Sequence, residues 1–181
     1  MKKEKTLRRL SFRILSVVVT AIFLAVSAGA AISLQTGINY DAFGVMALCL
    51  GVVGMSRRIL GSRVVLDRST LTVINPVFTY IIPRSLVGGV NVASNGTLSI
   101  ITRSGREIEA TGFGGSLVDH FVGSTEKAVS EINVHLNSRP RAGSDSSAGE
   151  SRHLSRAWVA DACTVSALAC GLVAVVLGNG W

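Results

Sequence analysis

Three stretches of this sequence, residues 14–34, 42–56 and 162–181, contain no Asp, Glu, Lys or Arg. Runs of that length leave too few polar positions to face water, so they decide the class of protein before any motif is considered. The first would be about 31 Å long as a helix at ~1.5 Å per residue, which matches a hydrocarbon core of about 30 Å. The second is only about 22 Å and must borrow from its flanks. Tyr40 suits an interfacial position, and Arg57 and Arg58 can snorkel to the headgroups, so its expected span is 40–58. Trp158 and Trp181 bracket the third as an aromatic belt, giving an expected span of 158–181. A secretory signal also has a basic start, an apolar run and a small-residue site such as Ala28-Gly29-Ala30. Here the apolar character continues through Ala31, Ile32 and Leu34, and a second apolar run follows the polar turn 35–39. That pairing predicts a helical hairpin.

The formal charge of +7 accompanies only 16% charged residues, and its distribution excludes a nucleic-acid partner. Residues 1–13 carry six bases against one acid, and further bases flank the other apolar runs, where Lys and Arg mark the cytoplasmic side of a membrane. Residues 35–41 contain no Lys or Arg. The expected topology is therefore multi-pass, with the N-terminus and the segment 57–156 cytoplasmic and the lipid bilayer as the first partner. Small residues recur at spacing four in two runs: Ala21, Ala25, Gly29 and Ser33 in the first, and Ser166, Cys170, Ala174 and Gly178 in the third. Gly44, Ala47, Gly51 and Gly54 recur at heptad-like spacing in the second. Such stripes let helices approach closely, predicting a three-helix cluster or a homo-oligomer through the same faces. Cys49, Cys163 and Cys170 lie in the apolar runs with no CxxC pair, and read as packing residues.

Between residues 62 and 111 the pattern changes to short Val, Ile, Leu and Thr segments separated by turn residues. Strands are predicted at 64–66, 71–74, 78–82, 86–92, 98–102 and 108–110. Asn95-Gly96 carries the signature of a two-residue type I′ hairpin turn, and Ser104-Gly105 closes the next hairpin. Ser116 and Asp119 form a capping-box pattern opening a helix that runs to Leu136, weakened at Gly123 so that it starts properly only at Ser124. Residues 138–156 are rich in Ser, Gly and Arg without an apolar period and read as a flexible linker.

This order of elements, placed directly after a membrane hairpin, resembles small bacterial membrane proteins of actinobacterial type that carry a pleckstrin-homology-like (PH-like) domain. The resemblance rests on Arg63-Val64-Val65-Leu66-Asp67 and Leu71-Thr72-Val73, then Asn75-Pro76, then Phe78-Thr79-Tyr80-Ile81-Ile82-Pro83 and Leu86-Val87. It covers roughly residues 57–136. It implies an α+β fold: a small antiparallel PH-like sheet or partial barrel over 62–137 capped by a C-terminal helix, joined to the membrane hairpin and one C-terminal span. It also implies a bacterial inner-membrane location and a binding or scaffolding role without a cofactor. Relatives that bind phosphoinositides carry several bases on the first two strands and their loop, whereas Asp67-Arg68-Ser69-Thr70 holds one base and one acid. Arg63, Arg68 and Arg84 remain the candidate contacts for anionic lipid, although Arg84, Arg103 and Arg106 read first as solvated strand ends. A cytoplasmic protein partner, taken up by strand addition or beside the helix, is the favoured reading.

The arrangements that enzyme chemistry needs are missing from the sequence. There is no GxxxxGK[ST] or HExxH, and residues 112–115 do not complete GxGxxG. His120, His135 and His153 have no Cys or acid cluster at ligand spacing. A minimal transporter subunit fits three small-residue helices, but no charge falls at mid-depth to mark an ion path.

Overall fold

A computed structural model of the chain describes residues 5–8, 10–37, 40–113, 124–137 and 149–179. They fall into two units: Met1–Phe12 with Gly61–Ser155, and Arg13–Leu60 with Arg156–Trp181. The first unit holds two antiparallel sheets and a helix, and the second holds most of three apolar helices.

In the first unit β1 (Lys5–Leu7), β2 (Arg63–Leu66), β3 (Thr70–Ile74), β4 (Phe78–Pro83), β5 (Val87–Val92), β6 (Leu98–Thr102), β7 (Glu107–Ala110) and β8 (Ser151–Leu154) form the strands. The first sheet has the order β1-β2-β3-β4-β8 and the second β5-β6-β7, and the two do not join into a closed barrel among the described residues. All six strands expected between 62 and 111 are present, each within one residue of its predicted bounds. They were legible because one face is dry: Val64, Leu66, Leu71, Val73 and Ile82 of the first sheet are buried together with Val87, Val90, Leu98, Ile100 and Ile108 of the second. α3 (Ser124–Asn137) contributes Ala128 and Ile132 to the same core, with Val129 and Leu136 packed against it. The described helix begins at Ser124, and residues 114–123, where the earlier expected start falls, lie outside the described residues. The capping-box residues Ser116 and Asp119 lie outside the described residues.

Two segments depart from expectation. Residues 1–13 read only as a topology signal, yet Lys5–Leu7 pairs with β2, Leu7 facing Val64. Residues 138–156 read as a linker, yet Ser151–Leu154 pairs with β4, Leu154 facing Phe78. Edge strands bury only one flank, so backbone hydrogen bonds can hold them without the alternation that marks a core strand. The β5–β6 turn also differs. Among the described residues no non-glycine has positive φ, whereas Gly96 is at +77°, so Asn95-Gly96 is not a type I′ pair. The Gly96 N–H donates to the Ala93 carbonyl and the Ala93 N–H to the Thr97 carbonyl, both at 2.8 Å. This is a type I turn followed by a left-handed glycine, the three-residue hairpin connection. Asn95 keeps its negative φ while its Oδ1 accepts from the Thr97 N–H at 2.9 Å. The β6–β7 turn repeats the pattern with Gly105 at +82°.

In the second unit α1 (Leu10–Ser33), α2 (Tyr40–Leu60) and α4 (Trp158–Gly178) are each long and apolar enough to cross a membrane. α1 starts four residues earlier than the run 14–34 and takes in Arg13. α2 recruits Tyr40 and its basic C-terminal turn, and its 21 residues reach about 31 Å. These are the features of a multi-pass membrane protein.

Candidate interaction surfaces

Glycine governs how α2 meets α4. A Cβ on Gly54 would lie 2.8 Å from Thr164 Oγ1 and 3.1 Å from the Ala160 carbonyl, one on Gly51 3.9 Å from Ala167 Cβ, and one on Gly171 3.7 Å from Ala47 Cβ. Gly178 comes equally close to the Tyr40 ring, at 3.9 Å. As the α2 number falls the α4 number rises in step, so the two helices are antiparallel and in register over their whole length. The Arg58 guanidinium closes the seam by hydrogen bonding to the Asp161 carboxylate. The seam uses the expected Ala47, Gly51 and Gly54 of α2, but on α4 it runs through 160, 164, 167, 171 and 178, which takes in Gly178 of the predicted stripe. Ser166 of the predicted stripe is exposed. Four helical residues turn the chain about 400°, so a stripe at spacing four drifts about 40° per step away from a straight contact line. On α1 the predicted stripe also points outward: Ala21, Ala25, Gly29 and Ser33 are exposed, whereas Ser16 and Ser27 are buried. An open groove of about 730 Å³ is lined by Phe23 and Val26 of α1, Val45 and Leu48 of α2, and Ala174 of α4.

Among the interface anchors, Tyr40 and Trp158 are the exposed first residues of α2 and α4. Tyr40 lies beside Gly178, so the two aromatic rings stand about 30 Å apart along the pair, the thickness of a hydrocarbon core. Arg57 is half-buried in the last turn of α2, and Arg58 is committed to Asp161. Trp181 lies outside the described residues.

The three arginines expected to contact lipid do not share one surface. Arg63 opens β2 opposite Ile74, while Arg68 lies in the β2–β3 turn beyond the Leu66–Leu71 pair. β2 therefore separates them by about 10 Å. Arg84 lies near Arg68, its N–H bonded to the Ser69 carbonyl at 2.8 Å, but its guanidinium is engaged elsewhere. Nη2 donates to the carbonyls of His135, at 2.8 Å, and Leu136. These carbonyls end α3, so Arg84 satisfies orphan acceptors and places a cation at the negative end of the helix dipole. The His135 ring, protonated at Nε2, donates to the Asp67 carbonyl at 3.0 Å and fastens the same turn.

A second cluster was invisible in the sequence. On β8 the Arg152 guanidinium lies 3.4 Å from the centroid of Phe78 and 5.8 Å from that of Tyr80. From the β6–β7 turn Arg106 lies 5.7 Å from the Tyr80 centroid and forms an ion pair with Glu150 at 2.8 Å. Phe78 and Tyr80 are two residues apart and share a face, which their spacing announces; nothing in Ser151-Arg152-His153-Leu154 marks Arg152 as the group that covers them. Arg84 is thus a structural clasp, while Arg103 and Arg106 are exposed as expected, Arg106 being paired with Glu150 as well.

The described residues contain no group of three or more His, Cys, Asp or Glu side chains able to hold a metal. His135 is spent on its clasp, His153 is exposed on β8, and His120 lies outside the described residues. Cys49, Cys163 and Cys170 are all free thiols.

In comparison with known proteins, no family model, curated protein or solved structure matches the chain.

Proposed function

We propose that the chain is a non-catalytic, membrane-anchored scaffold of the bacterial inner membrane, whose PH-like sheets present a cytoplasmic surface to a protein partner. One observation carries this reading. β1 and β8 run opposite to β2 and β4 in the first sheet, so the C-terminal ends of β1 and β8 and the N-terminal end of β2 lie at the same end of it. These are the three points at which the chain passes to α1, from α2 and to α4. The opposite end of the sheet, away from all three junctions along the strands, carries the β2–β3 turn with the exposed Arg68 and offers a polar surface to a soluble protein. The common end also accounts for orientation, since Arg8, Arg63 and Arg156 beside the three junctions belong on the cytoplasmic side. A phosphoinositide-type site built from Arg63, Arg68 and Arg84 finds no support in their separation.

Two measurements on the full chain in cells test the proposal. Single cysteines at Thr36 and Arg68, with the three native ones replaced, should be labelled from outside and inside respectively by a membrane-impermeant maleimide. A photo-crosslinker at Arg68 should then give one discrete protein adduct that persists at high salt, with no such adduct from the same probe at Leu48 on the apolar face of α2. External labelling at Arg68 sinks the orientation, and an Arg68 probe that crosslinks only to lipid sinks the protein partner.

A further inference from the structure

We propose that the groove between α1 and the α2–α4 pair is a lipid site: it takes one acyl chain of a phospholipid whose headgroup carries a primary ammonium, and the Asp41 carboxylate receives that ammonium. The inference rests on the three apolar helices crossing a bilayer and is independent of what the sheet unit binds.

Helix packing makes the groove. Close backbone approach within this unit belongs to α2 and α4, whereas α1 approaches neither at more than isolated points. Of the small residues expected along one face of α2, Gly51 and Gly54 meet α4, but a Cβ on Gly44 would find nothing within 4 Å. Gly44 thus leaves an open floor, flanked by Phe23 and Val26 of α1 and by Val45 and Leu48 of α2.

Dimensions decide the occupant. On α2 the lining runs from Tyr40 to Cys49, about 13.5 Å along the axis, or nearly one leaflet of a hydrocarbon core about 30 Å thick. A membrane helix from a second copy would need a channel through the full thickness. Spread over that length, the volume of about 730 Å³ gives a mean section of about 54 Å², against about 80–110 Å² for a helix 10–12 Å across. The groove has the length and width of a lipid tail and is too small for a helix.

Charge identifies the headgroup. Tyr40 and Asp41 open α2 at one end of the groove, and among the described residues that line it Asp41 is the one charged side chain. Tyr40, at 51% exposure, suits the membrane–water interface, which puts the neighbouring carboxylate at headgroup depth. A carboxylate there repels an anionic headgroup and attracts a cationic group. A primary ammonium brings three N–H donors for charge-assisted hydrogen bonds to it, and a quaternary ammonium brings none. An acid at the rim with apolar side chains behind it matches an amphiphile with an amine head.

The test uses the full chain in phosphatidylcholine vesicles doped with a trace of phospholipid that bears a diazirine midway along one acyl chain, its headgroup either ethanolamine or choline. The ethanolamine probe should label the peptide containing Gly44 and Leu48 about 2–5-fold more strongly than the choline probe, the worth of an ion pair at a partly exposed site. Unlabelled phosphatidylethanolamine should compete, and phosphatidylglycerol should not. Asp41→Asn should bring the two probes to equal yield. Gly44→Leu, which fills the floor, should suppress adducts from both probes there while leaving unchanged the labelling of α4 around the exposed Val165 and Leu168. Equal labelling by the two probes in the native chain would mean bulk lipid and overturns the inference, as does a preference that survives Asp41→Asn. A second measurement looks for the rival occupant: with the native cysteines replaced by Ala, a chain with a single cysteine at Gly44 should stay monomeric on mild oxidation. A disulfide-linked dimer would put a second copy in the groove and overturn the lipid assignment.

Discussion

Asn75 links the two sheets with its side chain alone. Its Nδ2 donates to the Glu109 carbonyl at 2.7 Å and its Oδ1 accepts from the Thr111 N–H at 2.9 Å, so the amide stands in for one peptide unit of a strand paired to β7. Its own N–H donates to the Phe78 carbonyl at 3.0 Å, which holds the turn in the shape that aims the side chain. Asn75→Ala removes both links. Each is worth ~0.5–1.5 kcal/mol, and because water can replace both partners at this partly exposed site, the lower half of the sum applies, ~1–2 kcal/mol. That corresponds to an opening equilibrium about 5–30 times more populated. Tryptophan fluorescence cannot read it, since Trp158 and Trp181 both belong to the third apolar segment. Amide hydrogen exchange of the full chain in micelles can, because the Thr111 amide is itself the donor. Its exchange should accelerate by about that factor, with the buried β6 residue Ile100 unchanged. Asn75→Asp offers a finer test: it keeps the acceptor for Thr111 but sets a carboxylate oxygen against the Glu109 carbonyl, and should weaken the link between the sheets while sparing the Thr111 amide. A Thr111 amide that exchanges at the native rate in Asn75→Ala refutes the reasoning.

Other substitutions probe the remaining contacts. Cysteines replacing Gly51 and Ala167 in a background free of the native three should form a disulfide on mild oxidation, because the Cβ positions are 3.9 Å apart, within the range a disulfide spans. Adding Gly54→Leu, whose side chain has no room beside Thr164 and Ala160, should abolish that crosslink, whereas Gly44→Leu, at a position with nothing within 4 Å, should leave it intact. Gly112→Ala would set its Cβ 2.7 Å from the Ser62 carbonyl oxygen and should cost ~1–3 kcal/mol, seen as faster proteolysis of the sheet unit; Gly89→Ala, in open space, should be tolerated. Arg84→Ala should release the carbonyls of His135 and Leu136 and accelerate amide exchange in the last turn of α3, with its first turn unaffected.

What the sequence revealed and what it hid divide along one physical line. Where a face is buried, periodicity announces it: Val64, Leu66, Leu71 and Val73 alternate because one side of each strand is dry, and the apolar runs of α1, α2 and α4 are long because lipid demands it. Where backbone hydrogen bonds or single side chains hold an element, no pattern is needed, and β1 and β8 passed for a basic tail and a linker. Arg84 illustrates the same gap, since a guanidinium that caps a helix and one that meets phosphate are spelled alike. The surfaces were legible only as a list of arginines. Strand direction sorts them to opposite ends, and direction follows from pairing, which is not written in local sequence.

The first sheet is assembled from opposite ends of the chain, its outer strands being residues 5–7 and 151–154. During synthesis at about 5–20 residues per second, β1 is made some 3–12 seconds before the last residue of its partner β2, and the α1–α2 hairpin enters the membrane in the interval. Throughout that wait the short strand has no ladder to join, and its lysine-rich surroundings, Lys2, Lys3 and Lys5, discourage pairing with another chain. β8 has the converse position: it emerges just ahead of α4, so the second outer strand of the sheet and the third apolar helix are delivered together. Pairing of that outer strand and insertion of α4 thus become one late event, and a chain truncated before residue 151 would forfeit both.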